Sequence, residues 1–270
     1  MLSVIKWIFI SIFIISVLHV LLSYIIAWIE LRLASMRGEK SPAFASILKS
    51  FIIEFSLTLL VIPTTLLLLL PKRTKRSDKT PILLIHGYLH NSTAWLYFKK
   101  KLENANLGPV YTITLFPPFT SIKRLGDQVQ RKAESIEKET GCKRLLLVGH
   151  SMGGLVSSFY AENLAPEGKV ERIVTLASPL HGTRLAALGY GENIEEMGPE
   201  TAFLSALRYK IAHSNISYCH LASKLDNIIV PWDSALLERN TGKNRVIEDE
   251  GHLTILVSNK VIKQTIEWLR

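Results

Sequence analysis

From residue 78 onward the sequence predicts an α/β domain, with a mostly parallel sheet of about six strands flanked by helices. Two N-terminal transmembrane helices are expected ahead of it. Two observations predict the domain. Short apolar runs alternate with longer amphipathic, charged stretches, as βαβ units do. The runs are also apolar at both parities, as strands covered on both faces must be. A third observation predicts the helices: the hydrophobic content is high, at 48%, and the excess sits in the first 70 residues.

Trp7 to Ile29 is apolar apart from His19 and a few hydroxyls, and Phe51 to Leu70 is a second such run, containing Glu54 and Pro63. A bilayer core takes about 20 apolar residues as a helix. The first run is too long for a signal-peptide core, and no small-residue cleavage site follows it. Glu54 lies near one end of its run and is expected to snorkel to the interface, with a functional intramembrane carboxylate as the alternative. The net charge of +9 is uneven. Residues 1–79 hold ten basic against four acidic residues, so +6 of it lies there and does not by itself suggest nucleic acid. The basic flank 72–76 after the second run predicts that the residues from 71 onward lie on the cytoplasmic side, by the positive-inside rule. The expected division is a membrane anchor over 1–77 and the α/β domain over 78–270.

Strands are predicted near 82–85, 110–115, 144–148, 173–177, 216–222 and 245–247, and helices near 93–104, 122–139, 153–163 and 253–269. Cys142 and Cys219 are expected as buried free thiols, and no spacing suggests a metal site. Neither metal nor cofactor is expected.

The sequence LLLVGHSMGG ends one of these strands at Ser151. Gly149 and Gly153 form the pattern Gly-x-Ser-x-Gly with His150 and Met152 between. Such glycines permit a sharp strand-to-helix turn that projects the serine in strained geometry. The carboxyl edge of an open α/β sheet is where ligands gather, and the following helix turns its positive end toward any developing oxyanion.

Five stretches in order, ILLIHGYLHNSTAW, LLLVGHSMGG, IVTLASPLHGT, LASKLDNIIVP and DEGHLTIL, make residues 80–270 resemble the α/β-hydrolases. The likeness is strongest to small bacterial lipases and esterases and to membrane-associated acyl hydrolases. In that scheme ILLIHG is the third strand, so a minimal sheet is implied. The resemblance implies Ser151 as nucleophile, His252 as base and Asp226 as the acid that orients it. His181 is the rival base and Asp233 the rival acid. The oxyanion hole is expected from the N–H groups of Met152 and Tyr88. Gly87 allows close approach there, and His86 braces the loop. His181, in SPLHGT, shapes the site, while His220 reads as a core histidine. Glu248, Asp249 and Glu250 read as solvated turn residues.

Residues 185–210 fall where lipases carry cap helices. Leu185, Leu188, Met197, Phe203, Leu204 and Leu207 could face an acyl chain or pack a helix onto the core. FPPF, 116–119, is an apolar loop on the same edge. The expected activity is hydrolysis of carboxylic esters, an acyl-ester lipid at a membrane being the implied substrate. Acyl transfer or thioester cleavage by the same residues is the alternative, and a non-catalytic membrane scaffold is the more distant one.

Overall fold

The computed structural model describes residues 2–36, 42–65, 78–237 and 242–270. The basic flank 72–76 and the last five residues of the second apolar run lie outside them.

Six strands form one sheet in the order β2-β1-β3-β4-β5-β6. They are β1 (Ile82–Ile85), β2 (Val110–Ile113), β3 (Leu145–His150), β4 (Val170–Leu176), β5 (Ser217–Ser223) and β6 (Lys243–Ile247), and every neighbouring pair is parallel. Parallel pairing needs crossovers, and the amphipathic segments supply them. Helix α4 (Ile122–Thr140) begins at Ser121, whose side chain caps it, and ends at Gly141 in the left-handed region at φ 72°. It packs with α5 (Met152–Asn163) and α7 (Ala202–Ala212) on one face, while α3 (Leu96–Asn104) and α8 (Asn259–Leu269) cover the other.

Strand side chains divide between two cores by parity. Leu83 and Ile85 join Leu125, Val129 and Leu155 on the α4/α5 side. Ile82 and Leu84 join Phe98, Val261 and Ile262 on the α3/α8 side. Burying each such side chain is worth about 1.5–3 kcal/mol.

Two predicted helices are broken. Residues 93–104 begin as a 3-10 turn, Ser92–Trp95, because the Asn91 side chain accepts from Thr93 N–H. Residues 253–269 divide into a 3-10 turn at Thr254–Leu256 and α8, because Ser258 starts α8 as its own N-cap. The cap region contains a 3-10 turn at Arg184–Leu188, the short α6 (Glu192–Glu196) and α7. Met197, Leu204 and Leu207 are buried in the core, whereas Leu188 is exposed. Cys219 is a buried free thiol, but Cys142 is free and partly exposed, since it precedes β3 rather than beginning it.

Ahead of the sheet stand α1 (Leu2–Met36) and α2 (Phe44–Thr65). Among the described residues one helix, α1, is long and apolar enough to cross a membrane, over Ser16–Leu33. Both helices are patterned inside out. Val20, Ser23, Ala27 and Glu30 form a buried stripe on α1, and Ser50 and Glu54 one on α2, while Leu18, Leu22, Ile25, Trp28 and Ile29 are exposed. The stripes face each other and the carboxyl edge of the sheet. Tyr24 bonds Ser50 at 2.8 Å, and Arg184 pairs with Glu30.

Candidate active site

β3 runs into α5 through a turn that only small neighbours permit. Ser151 stands there at φ 56°, ψ −130°, its N–H held by Leu176 O at 2.9 Å. A side chain carbon at Gly149 would lie 2.4 Å from Gly153 O, and one at Gly153 2.2 Å from Ile85 O. The glycines thus let α5 start against the end of β1. A Cβ at Gly87 would lie 2.9 Å from Ser151 Cβ, so the loop after β1 passes directly over the serine.

That loop is braced. His86 Nδ1–H donates to Gly87 O at 2.7 Å, and its Nε2 accepts from Leu115 N–H at 2.9 Å. The N–H groups of Tyr88 and Met152 follow Gly87 and Ser151, and neither donates to a protein acceptor among the described residues. The Tyr88 hydroxyl turns away to Tyr190 O at 2.7 Å, and its ring meets Phe119, which meets Tyr190. Phe119 and Tyr190 border a hollow of about 740 Å³ in the cap region, whose lining includes neither Ser151, Asp226 nor His252.

Asp226 follows β5 and is buried. Its Oδ1 accepts from Ile228 and Ile229 N–H, both at 2.8 Å, which fixes the carboxylate before any partner arrives. His252 Nδ1 lies 3.0 and 2.9 Å from its two oxygens. A carboxylate only accepts, so Nδ1 carries the proton and the Nε2 lone pair is left to accept one. Burial pulls the ring toward neutrality, but the charge and hydrogen bond of Asp226, with Glu54 behind, outweigh it and raise the pKa above the usual histidine value. His150, next to Ser151, donates through Nε2 to His252 O at 2.9 Å, and the two rings lie 4.6 Å apart. Burial, with the neighbouring histidines, holds His150 well below the usual value, so it serves as a neutral strut.

The structure thus brings Asp226 and His252 into contact and seats them beside the Ser151 turn. Ser151 Oγ makes no hydrogen bond to the His252 ring among the described residues. Such bonds are often long in substrate-free sites and tighten with substrate. The rivals lie elsewhere. His181 Nδ1 pairs with Glu200 at 2.9 Å, and Asp233 is exposed. His220 is buried and bonds Thr175 at 2.8 Å, its pKa pushed down to about 4 by burial.

Two readings of acidic residues need correction. Glu54 does not snorkel: it is 2% exposed and accepts from Thr254 N–H and Oγ1–H at 2.6 and 2.8 Å. Glu250 is not solvated either, since it is buried and bound to Ser258 Oγ. Glu248 and Asp249 do stand toward solvent, paired with Lys224 and Lys260. Asn227 escaped notice altogether. It accepts from His252 N–H and donates to Ser23 on α1. A polar residue beside the acid was its faint signal in sequence.

A parallel sheet in this order, with the serine turn at its carboxyl edge, is the α/β-hydrolase fold. The chain belongs to the family of the PGAP1-like alpha/beta domain, whose sequence profile matches residues 120–262. It is 27% identical over 114 residues to a triacylglycerol lipase of Pseudomonas fragi, covering 41% of this chain and 38% of that one. It is 32% identical over 88 residues to the GPI inositol-deacylase of Candida albicans, covering 30% and 23%. The chain therefore spans well under half the length of these curated relatives. Among solved structures, the mature lipase BlEst2 of Bacillus licheniformis superposes with a TM-score of 0.61 at 21% identity, over 74% of this chain and 95% of that one. Lipase B of Aspergillus fumigatus does so at 0.62 and 19%, over 72% and 54%. At such identities the likeness speaks for the fold.

Proposed function

We propose that the chain is a membrane-anchored serine hydrolase of carboxylic esters, with acyl-ester lipids as its substrate class. The observation that carries this reading is the buried Asp226–His252 pair lying against the Ser151 turn. In this reading Ser151 Oγ attacks the acyl carbonyl while His252 Nε2 takes its proton. Asp226 holds the tautomer and stabilises the imidazolium. The N–H groups of Tyr88 and Met152 receive the oxyanion, aided by the positive end of α5. His252 then protonates the leaving alcohol, and water, activated by the same ring, releases the acyl group from Ser151. Relatives named as a triacylglycerol lipase and a GPI inositol-deacylase support an acyl ester of a lipid.

In the same reading residues 1–77 form the anchor and 78–270 the catalytic domain, with residues 185–210 as its cap. The exposed apolar face of α1 and α2 favours lipid over water, since monomeric soluble proteins rarely show so large a patch. A slot of about 190 Å³ opens between Leu57 and Leu60 of α2 and Leu253, Leu256 and Val257 of the base loop. Its apolar wall suits an acyl chain arriving from the bilayer.

The test is fluorophosphonate labelling of the full chain in liposomes, beside Ser151→Ala and His252→Ala. Labelling of the wild type that both substitutions abolish supports the reading. A folded wild type that never labels sinks it. Alkaline-phosphatase fusions at residue 40 and after residue 76 test the cytoplasmic orientation: activity at the second position reverses it.

A further inference from the structure

Glu54 sits mid-helix in α2, in a run that is otherwise mostly apolar, and is nearly inaccessible. A single oxygen, Oε1, accepts both Thr254 N–H and Thr254 Oγ1–H, at 2.6 and 2.8 Å. On the other side of His252, a Cβ at Gly251 would fall 2.6 Å from that oxygen and 2.5 Å from Ser50 Oγ. The side chain therefore presses on the loop to both sides of His252. Helix α1 reaches the same loop by a second route. Ser23 Oγ accepts from Asn227 Nδ2 at 2.8 Å, and Asn227 Oδ1 accepts from His252 N–H at 3.2 Å.

Burying a carboxylate is costly unless it is well bonded. Helix packing alone needs no carboxylate here, since an apolar side chain would serve it. What a carboxylate supplies is an oxygen able to take two donors from one residue of a loop whose neighbour must be aimed accurately. An imidazole that is to take a proton has to be held within about half an ångström of its productive position.

We propose that Glu54 is a positioning residue, through which α2 holds the His252 loop by way of Thr254, so that the N-terminal helix pair is a working part of the active site as well as its anchor. This rests on the reading of Ser151, His252 and Asp226 given above. Glu54 touches no substrate in it. Its effect reaches the reaction through the aim of the His252 ring.

The experiment uses the full chain in liposomes with a water-soluble short-chain ester, turnover being counted per site titrated with fluorophosphonate. Glu54→Ala is expected to lower kcat by about ten- to a hundredfold with KM changed less than about twofold. Glu54→Gln recovers most of that loss, because its amide oxygen accepts the same two hydrogen bonds. Wild-type kcat in Glu54→Ala, or a loss in Glu54→Gln as deep as in Glu54→Ala, overturns the proposal. Where Glu54→Ala yields no folded protein, Thr254→Ala decides: a several-fold drop in kcat supports the latch, and wild-type kcat removes it. If instead the wild type neither labels nor turns over, or Ser151→Ala stays active, the fault lies with the proposed triad and not with Glu54.

Discussion

Ser151 holds φ 56° without being glycine, a conformation that costs about 1–3 kcal/mol and persists only where its surroundings enforce it. Those surroundings are Gly87, Gly149 and Gly153. Gly87→Ala would drive a methyl group into Ser151 Cβ, so fluorophosphonate labelling should fall steeply while circular dichroism stays that of the wild type. Asp226→Asn should keep the fold but lower kcat by about four orders of magnitude if the reading is right, since an amide can hold the wrong imidazole tautomer. The pH dependence follows from the raised His252 pKa. In the proposed reading the base works when neutral, so kcat/KM should fall as pH drops through a value above the usual one for histidine, about 6.5. In Asp226→Asn burial remains and the charge is gone, so that limb should move to lower pH. An unmoved limb in a pH–rate series would mean that Asp226 does not control His252.

Among the elements, α5 starts at a close approach of backbone to backbone. Gly153 lets its first turn approach β1 to within a distance no side chain tolerates. Gly153→Ala should therefore lower the melting temperature and abolish labelling together, whereas Gly141→Ala, strained at φ 72° with nothing within 4 Å, should cost about 1 kcal/mol and spare labelling. The elements were also where the sequence was most readable. Each predicted strand lies within a few residues of an observed one, because period and apolar length are local properties. Failures came where a single capping side chain decided a boundary. Ser258 restarts the last helix, and Thr254 N–H in the turn before it donates to Glu54.

For the whole molecule, the two N-terminal helices pack against the His252 loop and Asn227, through Glu54 and Ser23. Removing residues 1–77 should leave the sheet folded, since its two cores contain no residue of α1 or α2. It should also strip the partners of Thr254 and Asn227 and lower kcat on a soluble ester. Full kcat in the truncated chain would show that the helices do not act on the site. The intact chain should partition into liposomes and resist carbonate extraction.

Much of the candidate site was open to reading from sequence. The Gly-x-Ser-x-Gly turn, the aspartate after a late strand and the histidine after the last one each carry a short local signature. The sequence by itself determined the strands and most of the helix register. It also determined the glycines at the serine turn, because sterics between near neighbours decide these. Tertiary structure alone decided what the apolar helices touch. Glu54 and Thr254 stand 200 positions apart, and Ser23 and Asn227 stand 204 apart. A carboxylate in an apolar run reads the same whether it faces headgroups or a catalytic loop. Only the packing of α2 across the sheet edge gave it two donors, and hence a place beside His252.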